Sequence, residues 1–233
     1  MAAVNGAHQG MGDVGDPRSI CSAELEALCQ ISGSLTTADL VLATHCTGWS
    51  VADLLVHIRA GAEELVLGWS EPTDGEPDRD FVTYWRDWPA KAAPTFEDVR
   101  TDWAMTSAFS RAEHLLGYFR SRVGAAARAV ERAPHGRFRF QGHVMEAQDM
   151  AAMWAVEFAV HHLDLMAQIP GLPPPAPGAL SLACATLDRL TGAKRPNLWS
   201  PETYVLKGTG RLRLTPEDAA ALAGCAGAFP AFG

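Results

Sequence analysis

The sequence has no uninterrupted apolar run of about 18 residues, the length that a membrane-spanning helix requires. It also does not begin with a cationic segment followed by an apolar one, which is the pattern of a secretory signal. These two absences predict a cytoplasmic protein that does not enter a membrane. Hydrophobic residues make up 48% of the chain and charged residues 20%, which is typical of a folded globular protein and not of a disordered one.

Positive charge is scarce. The chain has 19 lysines and arginines against 27 aspartates and glutamates, which gives a net charge of −8 and a pI near 5.4. A protein that binds nucleic acid needs a basic patch to contact the phosphates. This balance predicts that nucleic acid is not a partner.

Cysteine pairs are absent as well, because the five cysteines are scattered and no two form a C-x-x-C motif. An odd number of scattered cysteines is typical of reduced cytosolic thiols and not of a disulfide framework. Most such residues are small buried side chains, and a catalytic role for one of them stays open. They are Cys21, Cys29, Cys46, Cys184 and Cys225.

The most informative segment is MAAMWAVEFAVHHLDLMAQ, residues 150–168, which has the periodicity of a helix. At about 100° per residue, one stripe lies within roughly 60° of Glu157. Large apolar residues at its N-terminal end indicate that this stripe faces a core, so Glu157 and His161 point inward, whereas His162 lies about 140° away. The members of the stripe are Met150, Met153, Trp154, Glu157, His161, Asp164 and Gln168.

A carboxylate buried beside an imidazole needs a physical reason. An unpaired buried charge costs several kcal/mol, whereas a divalent cation bound by both groups removes that cost and favours their deprotonated forms. The alternative is a structural hydrogen bond between Glu157 and His161. The E-x-x-x-H spacing alone does not decide between them.

A second helix is predicted at GWSVADLLVHI, where Ser50 and Asp53 form a pattern close to a capping box. Apolar residues then recur at the helical interval. His57 lies on the flank of this stripe, where a surface histidine is the alternative interpretation. Asp53 lies one turn before it and is predicted to accept a hydrogen bond from its ring, as carboxylates do for metal-bound histidines.

Turn residues and apolar periodicity predict how the remaining chain is organised. Residues 1–18 are glycine-rich and are expected to form a tail, while residues 19–169 hold four helical patterns that predict a bundle. The first pattern ends near Ile31, and the third runs from Thr95 to about Val123. A short extended segment is predicted at 137–141, before the Met150 helix.

Residues 68–94 interrupt the helices with four prolines and two glycines and are predicted to form a packed flap. Its aromatic residues either cover the core or wall an apolar substrate pocket. They are Phe81, Tyr84, Trp85 and Trp88.

The clearest boundary is PGLPPPAPG, residues 170–178, whose prolines predict an extended linker. Residues 179–233 are therefore expected to form a small α/β domain. The patterns predict a helix over 179–190, a hairpin made of 203–206 and 211–214, and a last helix that opens at Thr215.

Three segments resemble one known family in order and spacing: TGWSVADLLVHI, VEFAVHHLDL and YVLKGTGRLRL. The chain resembles the mycothiol-dependent, maleylpyruvate isomerase-like branch of the DinB-like four-helix metalloproteins over nearly all of 20–229. The resemblance implies a mainly α fold, a DinB-like four-helix bundle followed by a small α/β C-terminal domain. It also implies a divalent metal, typically zinc, held by His57, Glu157 and His161, and an active-site arginine in the C-terminal domain, for which Arg211 is the matching residue.

The same resemblance implies the chemistry. Two histidines and one glutamate leave a fourth metal position open, as catalytic sites do, and a thiol bound there becomes a nucleophile. Mycothiol is therefore the expected thiol cofactor or cosubstrate, and Arg211 is expected to bind a substrate carboxylate as a catalytic and cofactor-binding residue. Asp53 and Asp164 are expected to support the ligands, with direct ligation by Asp164 as an alternative.

The reaction stays open at this point. Addition of the thiolate to an electron-poor double bond, rotation and elimination would isomerise a small unsaturated acid, whereas a substrate with a leaving group would undergo S-transfer. An electrophilic, natural-product-like substrate suits the transferase alternative. The alternative to an enzyme is a non-catalytic ligand-binding or regulatory module. The expected oligomeric state is a monomer or a weak dimer.

Overall fold

The structure, a computed structural model, describes residues 15–88 and 95–233. Most of these residues are helical, which confirms the mainly α class. The elements in chain order are α1 Pro17–Ser32, α2 Val51–Gly68, α3 Phe96–Ser107, α4 Ala112–Val130, β1 Arg137–Phe140, β2 His143–Glu146, α5 Ala147–Leu165, α6 Pro177–Thr191, α7 Pro201–Gly208 and α8 Pro216–Ala221. Short 3-10 helices cover Asp39–Val41, Thr83–Asp87 and Cys225–Ala228.

Four of the helices form a bundle, because α1 and α2 each pack against both α4 and α5. Their apolar faces meet in one core, and α5 is buried along almost its whole length. The predicted four-helix bundle is thereby confirmed. None of the helices in the described ranges is long and apolar enough to cross a membrane.

The starts of the first two helices follow the local sequence. The Asp16 side chain caps α1, so this helix begins at Pro17, two residues before the predicted Ser19, and most of the predicted tail lies outside the described residues. Ser50 and Asp53 form the predicted capping box at the start of α2. The capping box occupies the Asp53 carboxylate, which accepts hydrogen bonds from the Ser50 backbone N–H and hydroxyl.

The predicted third helix is interrupted. Instead of one helix from Thr95 to Val123, α3 ends at Ser107 and α4 begins at Ala112. Arg111 has extended backbone angles (φ −143°, ψ 137°), and the Phe109 ring turns in against Tyr118 at 5.6 Å between centroids. Burial of this ring thus competes with a continuous helix, and α3 lies outside the bundle, against α2.

The only sheet in the described ranges is the antiparallel pair of β1 and β2, in which Arg137 pairs with Glu146. Its two-residue turn consists of Gln141 and Gly142, both with positive φ, as tight hairpin turns require. The predicted extended segment is confirmed over 137–140, whereas Gln141, its last predicted residue, belongs to the turn. The hairpin leads directly into α5, so it fixes the start of that helix.

The hairpin predicted within the C-terminal segment is wrong. Residues 203–206 lie inside α7, and in 170–233, which the structure describes completely, the regular elements are all helical. Ser200 caps α7, Pro201 occupies its first turn and Glu202 supplies an early acid, so the local signals favour a helix. Two of its residues, Tyr204 and Val205, are fully buried.

The proline-rich linker is fastened to the bundle by a buried clasp, which we define as Glu24 of α1, His162 of α5 and the linker backbone at Pro173 and Ala176. His162 Nδ1 lies 2.6 Å from Glu24 Oε1, and its Nε2 donates to the Pro173 carbonyl at 3.0 Å. The second Glu24 oxygen accepts from the Ala176 N–H at 2.6 Å. The clasp holds the segment that leads into α6 against the bundle, and the division of the chain into two units stays a prediction.

Candidate metal centre

The structure brings the three predicted ligands together where α2 faces α5. His57 Nε2 lies 3.6 Å from Glu157 Oε1, and His161 Nε2 lies 3.1 Å from the same oxygen. The two imidazoles meet edge to face, with 4.8 Å between ring centroids. His161 is buried, whereas His57 keeps 34% of its side chain exposed, so the cluster lies at the edge of the core and can be reached from solvent.

These distances fit the geometry of a zinc ion. Two ligands at 2.0–2.1 Å from a tetrahedral ion are about 3.3 Å apart. The separations of Glu157 Oε1 from the two Nε2 atoms, 3.6 and 3.1 Å, lie on either side of that value. The three side chains also supply the nitrogen and oxygen donors that zinc binds in catalytic sites.

The electrostatics of the cluster favour a carboxylate at Glu157. Burial alone would raise the pKa of this group, but the neighbouring charge of His161 and hydrogen bonds from both histidines hold the pKa below its ordinary value. Burial would lower the pKa of His161, yet Glu157 and Asp164 raise it well above its ordinary value. These neighbours favour the protonated imidazole, and a divalent ion bound by Nε2 would favour its deprotonated form instead.

Asp164 lies on the other side of the His161 ring. Its Oδ2 is 2.9 Å from Nδ1, whereas Nε2 faces Glu157. Burial would raise the pKa of Asp164, but Arg211 and His161 hold it well below its ordinary value. A buried carboxylate thus fixes the ring from behind and leaves Nε2 directed at the cluster.

Arg211 reaches the site from the segment after α7. Its Nε and one terminal nitrogen each donate to Asp164 at 3.2 Å, and the other terminal nitrogen donates to the Thr209 carbonyl at 3.0 Å. The side chain is 11% exposed. All three guanidinium nitrogens of Arg211 thus donate to protein acceptors. The predicted role of Arg211 in binding a substrate carboxylate stays a prediction.

Sequence reasoning missed Cys46, whose thiol lies 3.1 Å from Asp164 Oδ2 and 3.8 Å from His161 Nδ1. These three side chains form a second group with metal-ligand spacing. The Arg211 cation disfavours a metal there, because it donates to both Asp164 oxygens and lies 4.0 Å from the Cys46 sulfur. The cluster of His57, Glu157 and His161 is therefore the better candidate.

The carboxylate beside His57 also differs from the one predicted. Asp53 caps α2, and the structure places Asp102 of α3 next to His57, with 3.7 Å between Oδ2 and Nδ1. Trp49, a second residue that sequence reasoning missed, covers His57 with 4.6 Å between ring centroids. Trp49 could have been found from the sequence, because it lies in the TGWSVADLLVHI segment that also holds His57. No pattern in the sequence around Asp102 indicated a role in the site.

A cleft of about 370 Å³ is lined by residues 41–50, the loop that carries Cys46 and Trp49, and the three cluster residues are not part of its lining. The flap aromatics do not line this cleft. Phe81, Tyr84 and Trp85 are buried, and Trp85 stacks on Phe232 at 4.4 Å between centroids. This placement favours the interpretation that the flap covers the core, and its last residues lie outside the described ranges.

The fold and the site together define a class: a helical-bundle protein with a His-Glu-His cluster between its second helix and the last helix of the bundle. Comparison with known proteins then gives the family. Residues 21–166 match the model of the mycothiol maleylpyruvate isomerase N-terminal domain, and the chain belongs to this family. The family predicted from the sequence is confirmed.

Among solved structures, the chain is similar to one described as the crystal structure of the mycothiol-dependent maleylpyruvate isomerase. The two share 15% identity and a TM-score of 0.47, and the similarity covers 77% of this chain and 72% of the other. No curated protein matches the chain.

Proposed function

We propose that this protein is a metal-dependent enzyme that uses mycothiol to isomerise a small unsaturated acid of the maleylpyruvate type. Family membership supports the thiol and the reaction. The observation that supports a metal site is the position of the Glu157 carboxylate between the Nε2 atoms of His57 and His161. Within the described part of the chain this group has three members, so a tetrahedral ion would keep one position for a ligand from solution.

The residues of the chain prepare this centre before any ligand arrives. His57, Glu157 and His161 would hold the ion, which when bound favours the deprotonated form of a thiol at neutral pH. Asp164 accepts a hydrogen bond from the Nδ1–H of His161 and so leaves Nε2 as the nitrogen that would bind the ion. Arg211 compensates the charge of Asp164, and Trp49 shields His57 from water on one side.

In the proposed reaction, the thiolate sulfur of mycothiol forms a bond to one carbon of the cis double bond, and the electron pair moves into the adjacent carbonyl. The former double bond is then single and can rotate. The electron pair returns, the C–S bond breaks, and the trans acid and the thiolate are released. The thiol is therefore regenerated in every turnover.

The test follows the substrate and the thiol together. The zinc-loaded protein is incubated with mycothiol and maleylpyruvate, and the cis-to-trans conversion is recorded beside the thiol concentration. We expect conversion with full recovery of thiol. A Glu157→Gln protein should lose more than about 100-fold of this activity, since even changes outside the ligand set of a metal cost 10–100-fold.

A Glu113→Gln protein is the control, because Glu113 is an exposed acid on α4. It should retain full activity. Stoichiometric loss of thiol to another electrophile, with no conversion of maleylpyruvate, would establish an S-transferase instead. If neither zinc nor mycothiol changes the melting temperature, both the isomerase and the S-transferase are contradicted, and a non-catalytic binding module is favoured.

A further inference from the structure

Helix α3 carries no predicted ligand, yet it reaches the metal centre. Most of its side chains are exposed, but Asp102 is 13% exposed and points at His57. Two neighbours hold the helix in place: Val99 is buried, and the Trp103 indole donates to the Gly48 carbonyl at 3.0 Å. The loop that this bond fastens also carries Trp49, which covers the His57 ring.

The surroundings of the two histidines are of the same kind, but an aspartate oxygen lies 3.7 Å from His57 Nδ1 and 2.9 Å from His161 Nδ1. Each ring directs Nε2 at the same Glu157 oxygen, over 3.6 Å from His57 and 3.1 Å from His161. Each ring also directs Nδ1 at an aspartate, which is Asp102 for His57 and Asp164 for His161. Metal-bound histidines commonly donate the N–H of their second nitrogen to a carboxylate, which fixes the tautomer and the ring orientation.

We propose that Asp102 is a positioning residue of the metal centre, which accepts a hydrogen bond from the Nδ1–H of His57 and so leaves Nε2 as the nitrogen that would bind the ion. This inference rests on the proposed function, because it assigns the metal to the same cluster. It also gives α3 a role. The helix closes one side of the centre and supplies the carboxylate for the ligand that comes from α2.

The first test is zinc affinity, measured by competition with a chelator. We expect Asp102→Ala to bind zinc about 10–100-fold more weakly than the unchanged protein, as expected for loss of a carboxylate behind a ligand. Asp102→Asn should show a smaller loss, because its amide oxygen still accepts a hydrogen bond but carries no charge. Glu97→Gln, which removes an exposed carboxylate from the same helix, should leave the affinity unchanged.

A second readout does not depend on the metal. In the metal-free protein, at a pH where the imidazoles are neutral, nitrogen NMR should show the His57 proton shared between Nδ1, which faces Asp102, and Nε2, which faces Glu157. Asp102→Ala should move this proton to Nε2, because Glu157 is then the carboxylate that faces the ring, while His161 keeps its state. A merely structural role for Asp102 would not change the His57 tautomer selectively.

The outcomes separate this inference from the proposed function. Zinc binding that is equally tight in the unchanged protein and in both Asp102 variants overturns the inference and leaves the metal site intact. Absence of zinc binding in the unchanged protein refutes the proposed function. The His57 tautomer then still tests whether Asp102 positions the His57 ring. A loss of affinity in Asp102→Asn, whose shape is conserved, excludes unfolding of α3 as the cause.

Discussion

At the scale of single residues, Asp164 organises the part of the site that faces the core. Its two oxygens accept from His161, from the thiol of Cys46 and twice from Arg211. The carboxylate is fully buried, so its charge is stabilised by these neighbours and not by water. The position of His161 therefore depends on an arginine that lies 47 residues farther along the chain than Asp164.

We expect Arg211→Met to destabilise the protein by about 3–5 kcal/mol, because the substitution leaves the Asp164 charge buried without its cation. Urea denaturation of the metal-free protein measures this change in the free energy of unfolding. Arg213→Met is the matched control, since Arg213 is exposed, and its effect should stay within about 0.5 kcal/mol.

The double variant Arg211→Met/Asp164→Asn distinguishes a charge effect from a loss of packing. Removal of the carboxylate charge should restore part of the lost stability. Additive losses in the double variant would mean that the two side chains do not act as a pair.

At the scale of secondary structure elements, the position of Glu157 depends on how closely α2 approaches α5. Gly61 lies at this contact, where an added Cβ would meet the Trp154 ring at 2.6 Å. The ring has little room to move, because it stacks on Phe158 and contacts Phe140. Glycine is thus required at this position for close packing, although it weakens the helix itself.

Gly61→Ala and Gly117→Ala should therefore have opposite effects. Alanine gains up to about 1 kcal/mol over glycine within a helix, but overpacking against a ring costs about 1–3 kcal/mol. At Gly117, in α4, nothing lies within 4 Å of an added Cβ, so alanine should raise the melting temperature there. We expect Gly61→Ala to lower it, and calorimetry of both proteins measures the difference. Equal stabilisation by both changes would show that α2 and α5 do not depend on this close contact.

At the scale of the whole molecule, the clasp connects the first helix, the helix with two of the three ligands and the linker that leads to the C-terminal helices. Both Glu24 and His162 are fully buried. The clasp residue His162 directly follows the predicted ligand His161 in α5, but its side chain points away from the metal centre. The path of the chain from the bundle toward Arg211 therefore begins at a buried polar contact.

Glu24→Ala should destabilise the protein by about 3–5 kcal/mol, because it leaves His162 Nδ1 and the Ala176 N–H buried without their hydrogen-bond partner. Chemical denaturation measures this loss. Glu26→Ala changes the exposed acid two residues later in α1 and should have an effect within about 0.5 kcal/mol. Similar effects of the two changes would contradict the role of the clasp.

By itself, the sequence determined the bundle helices α1, α2 and α5 and the residues of the candidate cluster. Helical periodicity and capping act within one or two turns, so the stripe around Glu157 and the Ser50 cap could be recognised from neighbouring residues. The family followed from segments of the same kind. The hairpin predicted from 203–206 and 211–214 was wrong because a short apolar segment fits a strand and a helix about equally well.

Only the tertiary structure decided which groups surround those ligands. Asp102, Cys46 and Arg211 come from three different segments, and their contacts with the site cross 45 to 118 residues of sequence. No local pattern encodes such contacts, because they depend on how α3, the loop before α2 and the segment after α7 pack against the bundle. For the same reason Asp53, chosen by its spacing from His57, caps a helix, and Asp102 takes the place beside the imidazole.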